Sequence, residues 1–232
     1  MIENIYGNGI FTEPGEVDGN TLANLGPLSR LAGKWRGSKG IDVNPKAAGP
    51  VTQGYLETID LEPIDPQLNG PQLLYGLRYH QHLVKPGEIE TYHDQVGYWL
   101  WEPAAGIVVQ TLAIPHGQTL LASGKASSSS PRFELRARHG SPTNGIVSGE
   151  FLEHAFLTTE YRIAITLNDD GSWSYDVDTV LMVKGRQDPF HHTDRNTLVK
   201  IAEPRPNPVA RAAQRPAQEI PESLGRLRRG RR

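Results

Sequence analysis

The 8 histidines of this 232-residue chain fall in a few places where imidazoles could act together. His191 and His192 are adjacent in the stretch DPFHHTDRNTL, with Asp188 and Asp194 close by. A neutral imidazole is a common metal ligand, and its second ring nitrogen needs a carboxylate or carbonyl partner to orient it. The stretch therefore indicates either a metal-binding pair or a polar turn in which Asp194 and Asn196 cap a short last segment.

A second pair of histidines stands in YHQHL, where His80 and His82 are two residues apart. On a β-strand this spacing puts both imidazoles on one face, as in a chelating HxH pair for zinc or iron. His93 on a neighbouring strand is the candidate third ligand, which would give a cupin-like metal centre. The alternative is a polar strand edge that faces solvent.

The stretch TYHDQVGYWLW offers a mixed inner surface. Alternation along a strand places one set of side chains on a single face, polar at one end and aromatic at the other: His93, Gln95, Gly97, Trp99 and Trp101. A small-molecule cavity needs apolar walls with a few placed polar groups. Ordinary core packing around one satisfied histidine explains the pattern equally well.

Composition limits the classes of protein that need to be considered. The hydrophobic content of 37% and charged content of 22% are typical of a globular protein. There is no cysteine, which excludes disulfides and thiolate chemistry. No apolar run approaches the roughly 18 residues that span a membrane, and the acidic start does not resemble a secretory signal, so a cytoplasmic protein is expected.

The elements that must position these residues are mostly strands. LGPLSRLAG predicts one short N-terminal helix, with Pro27 in its first turn and Gly33 after its end. Nine runs rich in β-branched and aromatic residues then alternate with turns, and NDDG at 168–171 predicts a hairpin. The predicted strands are 34–41, 54–61, 73–84, 92–101, 107–113, 119–126, 132–137, 158–167 and 172–184. Short loops between so many strands predict an all-β fold, an antiparallel up-and-down barrel of nine to ten strands of the lipocalin or fatty-acid-binding type. A sandwich or jelly roll is the competing architecture.

The chain is predicted to divide into three parts: an N-terminal extension at 1–21, a ligand-binding barrel at 22–202 and a basic tail at 203–232, which differs from the rest in its charge. The tail holds eight arginines, three glutamates and five prolines. Such a composition cannot bury enough apolar surface to offset the entropy of ordering, so a disordered tail is predicted. Its arginines suit either contact with nucleic acid or an anionic surface, or plain solvation. Homodimerisation is left open.

PLSRLAGKWRGSKG, GYLETIDL and HDQVGYW together resemble the nitrobindin-like heme-binding β-barrels, which are related to fatty-acid-binding proteins. Gly33, Trp35 and Gly37 match the early glycine–tryptophan signature of that family, although its last glycine falls one place late, at Gly40. His93, followed by Gly97 and Tyr98, matches its second block. The resemblance covers about 25–202, with insertions at 126–156.

The resemblance implies heme b, with its iron held by His192 as first choice or His191 as second. A different alignment, anchored on TLVKIA, would put Thr197 at the ligand position and remove the iron ligand. The family implies nitric oxide binding or peroxynitrite isomerisation at the open side of the heme, with His93 as the catalytic residue. His93, Trp35 and Tyr98 are implied as further cofactor-binding residues.

These observations predict a β-barrel that binds one small hydrophobic ligand, with heme as the leading case. A metal-free carrier of a fatty-acid-like or other apolar ligand is the alternative. The cupin-like centre with His80, His82 and His93 ranks third.

Overall fold

The structure, a computed structural model, describes residues 6–213. Within this range the chain forms twelve β-strands and four short helical segments. The strands are β1 (Gly33–Lys46), β2 (Gly49–Pro63), β3 (Gln67–Asn69), β4 (Gln72–Val84), β5 (Thr91–Glu102), β6 (Ile107–Ile114), β7 (Gln118–Lys125), β8 (Arg132–His139), β9 (Gly145–Ser148), β10 (Phe156–Leu167), β11 (Trp173–Val183) and β12 (Phe190–Ala202). The helical segments are α1 (Thr21–Asn24), a 3₁₀ helix (Gly26–Leu31), α2 (Glu150–Ala155) and α3 (Pro208–Ala213).

Eleven of these strands close into a barrel, while β3 pairs only with β4 at its margin. The chain follows a meander in which successive strands are neighbours, apart from β3 and β9. β2 pairs directly with β4. The ring closes where β12 pairs with β1, with Trp35 opposite Lys200. Closure leaves the barrel without a free edge, and it confirms the all-β closed barrel that the strand pattern predicted.

The prediction of nine to ten strictly antiparallel strands is wrong, because the barrel is mixed and has eleven. The short strand β9 lies between β7 and β8. It is antiparallel to β7, with Leu120 opposite Ile146, and parallel to β8, with His139 opposite Ile146. The sequence of β9, GIVS, is too short to show alternation, and it lies within the insertion predicted at 126–156.

Each of the nine predicted strands overlaps an observed one, but β12 was not predicted. The sequence predicts a metal-binding pair or a polar turn at His191 and His192, beyond the last predicted strand, and in the structure both residues lie inside β12. The pattern of β12 is hard to recognise because its inward side chains include His192, Asp194 and Asn196 instead of apolar residues. The consequence is that the two adjacent histidines point to opposite faces of the barrel wall.

The 3₁₀ helix closes one end of the barrel. Leu28 and Leu31 are fully buried there, and Pro27 occupies the predicted first turn. Trp35 packs edge-to-face against Trp173, with ring centroids 6.0 Å apart. Its Nε1 donates a hydrogen bond of 2.8 Å to the carbonyl of Leu31. The tryptophan therefore belongs to the apolar plug at this end.

Asn207, in the segment before α3, ties the end of the described chain to its beginning. Asn207 is fully buried; its Nδ2 donates to the carbonyl of Gly19 at 2.8 Å and to Asp65 at 2.7 Å, and its Oδ1 accepts from the backbone of Thr21 at 3.1 Å. This order extends into the segment predicted to be disordered, since α3 lies within it. Residues 1–5 and 214–232, which include most of the arginine tail, lie outside the described residues. No helix between residues 6 and 213 is long and apolar enough to cross a bilayer.

Candidate ligand cavity inside the barrel

The barrel encloses a cavity of about 390 Å³. Much of its wall is apolar, for example Ile59, Leu61, Leu83, Trp99, Leu112 and Ile163. Small-molecule sites typically occupy about 300–1,000 Å³ and combine apolar walls with a few placed polar groups. The size and lining of the cavity therefore suit one small, mostly apolar ligand.

The insertion between β8 and β10 contributes to this cavity. Leu152 of α2 and Phe156 at the start of β10 both line it. Lys46 and His116 line it as well, but their side chains are exposed, which places them at its rim. The sequence could not decide whether the insertion covers the cavity, and in the structure α2 forms part of the cover.

His192 and Asp42 form a pair in the cavity wall. His192 comes from β12 and Asp42 from β1, and His192 Nε2 lies 2.7 Å from Asp42 Oδ1. Asp42 is 5% exposed. Burial raises the pKa of Asp42, but hydrogen bonds from His192 and Tyr92 outweigh burial and hold that pKa below its ordinary value. The carboxylate thus orients the imidazole and leaves Nδ1 as the second ring nitrogen.

Two further side chains complete this part of the wall. Tyr92 donates its hydroxyl hydrogen to Asp42 Oδ2. Asn44 Nδ2 donates to the same oxygen at 2.7 Å and to the Tyr92 hydroxyl at 3.0 Å. The side-chain oxygen of Asn44 is buried and has no hydrogen-bond partner within the described part of the chain. We name Asp42 and Asn44 the acceptor corner of the cavity.

A chain of oxygen atoms leads from the acceptor corner into the wall. Asp194 accepts from the hydroxyl of Tyr55, which lies 2.8 Å from that of Tyr175, which in turn lies 2.9 Å from Glu57 Oε2. Three contacts need three hydrogens, but the two phenols supply only two. One of the two carboxyl groups must therefore be protonated for every contact to be a hydrogen bond.

The pKa values of these carboxyl groups agree with that count. Burial raises the pKa of Glu57 to about 7, although hydrogen bonds from Asn196, Tyr175 and Gln81 lower it. Burial also raises the pKa of Asp194 to about 8, against the hydrogen bond from Tyr55. Since the two groups are coupled, the proton belongs to the pair and not to either residue.

The late glycine of the tryptophan motif has a role in this network. A Cβ at Gly40 would lie 2.1 Å from the ring of Tyr55. The pairing of β1 with β2 shifts register between Gly37 and Gly40, and its pairing with β12 shifts between Gly37 and Ile41, which indicates a bulge. The displaced glycine therefore makes room for the phenol that connects Asp194 to Tyr175.

A second polar group lies on the β4–β5–β6 side of the cavity. Gln95 Nε2 donates to the Tyr79 hydroxyl at 2.6 Å, and Tyr161 donates to Gln110 Oε1 at 3.0 Å. His93 Nε2 lies 3.4 Å from Gln95 Oε1, which is a long hydrogen bond. Burial lowers the pKa of His93, against the hydrogen bond to Gln95, so its imidazole is neutral at neutral pH.

The structure brings together only some of the residues singled out from the sequence. His192 and His93 line the cavity. His191 lies on the outer face, where its Nδ1 is 2.9 Å from Asp178. Tyr98 is 42% exposed on the outside, and Trp35 is buried in the end plug. The placement favours His192 over His191 and leaves Tyr98 and Trp35 outside the cavity wall.

Thr197, the position that the other alignment would equate with the iron ligand, also points outward. Its hydroxyl lies 2.9 Å from that of Ser174 on the outer surface. An alignment that assigns the iron ligand to Thr197 would therefore place the ligating side chain outside the cavity. The geometry supports the alignment that assigns it to His192.

The cupin-like centre is wrong. His80 and His82 lie on the outer face of β4, where His80 contacts Asp94 at 2.8 Å and His82 contacts Thr91 at 3.0 Å. His93 lies on the inner face of β5. Among residues 6–213 there is no group of three or more histidine or acidic side chains that could hold a metal ion. His80 and His82 share a face of β4 because they are two residues apart. This spacing does not determine which face of the neighbouring strand β5 carries His93, and in the structure His93 lies on the opposite face of the barrel wall.

Sequence reasoning missed Asp42, Tyr55, Glu57 and Tyr175. One signal was available in GYLETIDLEP, where Glu57 occupies the same strand face as Tyr55, Ile59 and Leu61. A charged residue in an apolar alternation marks a buried polar group. No such signal marks Asp42, because its partner His192 lies 150 residues away in the sequence.

The chain was compared with models of known protein families. Residues 24–200, well over half of the chain, match the model described as "THAP4-like, heme-binding beta-barrel domain". The chain belongs to this family. The match spans all of the barrel strands except the last two residues of β12. It agrees with the nitrobindin-like resemblance seen in the sequence.

One solved structure supports the fold of this THAP4-like domain. The crystal structure of Rv2717c from M. tuberculosis matches with a TM-score of 0.54 and 23% identity, over 78% of this chain and 96% of that one. A β-barrel-like protein from Brucella abortus matches with a TM-score of 0.23 and 8% identity, over 73% and 97% of the two chains. A comparison with curated proteins finds no significant match.

The residues in the cavity wall fit the group after which the family is named. His192 lies on the wall with one ring nitrogen held by a carboxylate, the arrangement that commonly orients a metal-binding histidine.

Proposed function

We propose that this THAP4-like domain binds heme b in the barrel cavity and that His192 holds the iron. The observation that carries the proposal is the His192–Asp42 pair, which lies on the wall of a largely apolar cavity. The membership of the chain in a heme-binding family supports the choice of ligand.

Each residue has a part that follows from its position. Asp42 fixes the ring of His192 and raises the basicity of its second nitrogen. The apolar wall shields the ligand from water. His93, neutral because its pKa is lowered, offers one polar contact to whatever lies in the cavity. Heme held by one histidine would supply an iron with an open coordination position for nitric oxide binding or peroxynitrite isomerisation.

The test is a titration of hemin into the purified protein, with the Soret band as the measurement. We expect a saturable, histidine-type spectrum that is lost in His192→Ala. His191→Ala is the matched control, because it removes the adjacent imidazole from the outer face and should leave the spectrum unchanged. Equal spectra for the native protein and His192→Ala would rule out this histidine as the ligand.

A metal-free carrier of an apolar ligand is the second candidate. The acceptor corner favours it, since a wall with its own network of buried hydrogen bonds can orient an organic ligand without a metal. A probe-binding assay separates the two functions, because a carrier would bind a fluorescent apolar probe with the same affinity in the native protein and in His192→Ala.

A further inference from the structure

The open end of the barrel carries a lysine that faces the cavity. Lys46 is the last residue of β1, and it follows Asp42 and Asn44, which line the cavity, at a spacing of two residues. Side chains two residues apart on a strand share a face, so Lys46 belongs to the same inward series. Lys46 lines the cavity and is also exposed, so its side chain is open both to a ligand in the cavity and to solvent.

A second cation is held beside Lys46. Arg186 lies in the turn between β11 and β12, and one of its terminal nitrogens donates a hydrogen bond of 2.7 Å to the carbonyl of Lys46. A guanidinium has five N–H groups, and this side chain makes no other hydrogen bond within the described chain. Two turns that are 140 residues apart in the sequence thus bring a guanidinium and a lysine together at the mouth of the cavity.

These two cations have no anionic partner in the described part of the chain. None of the ion pairs found there includes Lys46 or Arg186. Asp188 follows in the same turn but lies beyond ion-pair distance of Arg186, and Glu88 of the β4–β5 turn pairs with Lys85 at 3.4 Å. The mouth therefore presents two positive charges that an anionic group of a ligand can contact.

The inner wall has the opposite character. Within the described chain, the acidic residues of the lining are Asp42 and Asp194, and Lys46 is its one lysine or arginine. Asp42 lies four residues before Lys46 on β1, which is roughly 13 Å deeper at about 3.3 Å per residue. A carboxylate at that depth would lie near another acidic group without a lysine or arginine beside it, which is unfavourable. The same group at the mouth would meet two cations and water.

We propose that Lys46 and Arg186 form a carboxylate-binding site at the mouth, and that the ligand of the cavity is amphipathic, with its apolar body inside and its carboxylate at the mouth. A guanidinium can donate two parallel hydrogen bonds to one carboxylate, while a lysine contributes a compact charge. Heme, through its two propionates, and a fatty-acid-like molecule share this chemistry. The inference rests on the proposed function, since it requires that the cavity holds the apolar body of a ligand.

A pair of ligands with one chain length tests the site on the full chain without added hemin. Decanoate and decanol each displace a fluorescent apolar probe at neutral pH and low ionic strength, and the ratio of their affinities is measured. We expect Lys46→Gln and Arg186→Gln each to lower the affinity for decanoate relative to decanol by about threefold, and the double variant by about tenfold, because exposed ion pairs are individually weak. Added salt should reduce these effects, since the charges are open to solvent.

Lys125→Gln is the matched control. Lys125 ends β7 at the opposite end of the barrel and, like Arg186, donates to a backbone carbonyl, that of Ala105, at 2.7 Å. The variant removes the same charge, and its affinity ratio should equal that of the native protein. An unchanged ratio in the double variant, or an equal fall in Lys125→Gln, would overturn the inference.

Hemin and hemin dimethyl ester, which has no free carboxylate, extend the test to heme, with the Soret band as the measurement. We expect the native protein to bind hemin more tightly than the ester, and the difference to shrink in Lys46→Gln and Arg186→Gln. Equal affinity for both, each lost in His192→Ala, would refute the carboxylate site and leave the heme proposal standing. Absence of hemin binding, together with a decanoate preference that depends on Lys46 and Arg186, would refute only the heme proposal. If neither chain displaces the probe, the hemin pair decides, and no binding of any of the four would refute the proposed function and the inference together.

Discussion

Replacing Glu57 by glutamine should change how the stability of the barrel depends on pH. Glu57 is 1% exposed and accepts hydrogen bonds from Gln81, Tyr175 and Asn196. Burial raises its pKa from 4.5 to about 7. The folded state therefore holds this proton more tightly than the unfolded chain does, and stability falls as the pH rises from 4.5 to about 7.

The size of this effect follows from the shift. At about 1.4 kcal/mol per pKa unit, Glu57 contributes a loss of roughly 3 kcal/mol between the acid and alkaline limits. Glutamine has nearly the same shape and cannot ionise. We expect the stability difference between Glu57→Gln and the native protein to move in favour of the variant by up to about 3 kcal/mol as the pH rises.

Urea unfolding across this pH range measures the difference. Glu90→Gln, in an exposed turn, controls for the loss of one acidic side chain, and its stability difference should not change with pH. If the difference for Glu57→Gln were constant from acid to alkaline pH, Glu57 would not be a group whose raised pKa makes the stability of the barrel fall with pH.

Three further changes test other parts of the molecule. Gly40→Ala should lower the free energy of unfolding in urea by about 1–3 kcal/mol, because its Cβ would meet Tyr55, whereas Gly54→Ala, with its nearest atom 3.8 Å away, should be tolerated. Asn207→Ala should cost about 2 kcal/mol in the same assay by removing three buried hydrogen bonds; no change would mean that the segment before α3 does not stabilise the barrel. Asp42→Asn should weaken hemin binding by about tenfold or more, and equal affinity would show that His192 needs no carboxylate partner.

The inner face of β5 shows how far strand alternation reaches. His93, Gln95, Trp99 and Trp101 were predicted to share one face, and in the structure His93, Gln95 and Trp99 line the cavity while Trp101 is buried. The alternation of side chains is a property of the extended backbone, so it can be read from the sequence without knowledge of the partner strands. The same rule could not say which face of β4 carried His80 and His82 relative to β5.

Strand alternation did not identify β12 from the sequence. Its inward residues at 192, 194 and 196 are polar, so this part of the strand lacks the apolar alternation that identified the other long strands. Only the pairing with β1 and β11 defines it. The sequence therefore predicts a metal-binding pair or a polar turn at the two histidines, and only the structure shows a strand there.

The amino-acid sequence by itself determined that the chain is all-β, that its strands follow one another in a meander and that β5 has a mixed polar and aromatic inner face. These properties are local, since they depend on strand propensity, turn residues and the two-residue repeat of side chains. Tertiary structure alone decided which polar groups meet. His192 and Asp42 are 150 residues apart, and Tyr55 and Asp194 are 139 apart. Their contact depends on the number of strands and the register at which the barrel closes, and both are set by packing of the whole ring.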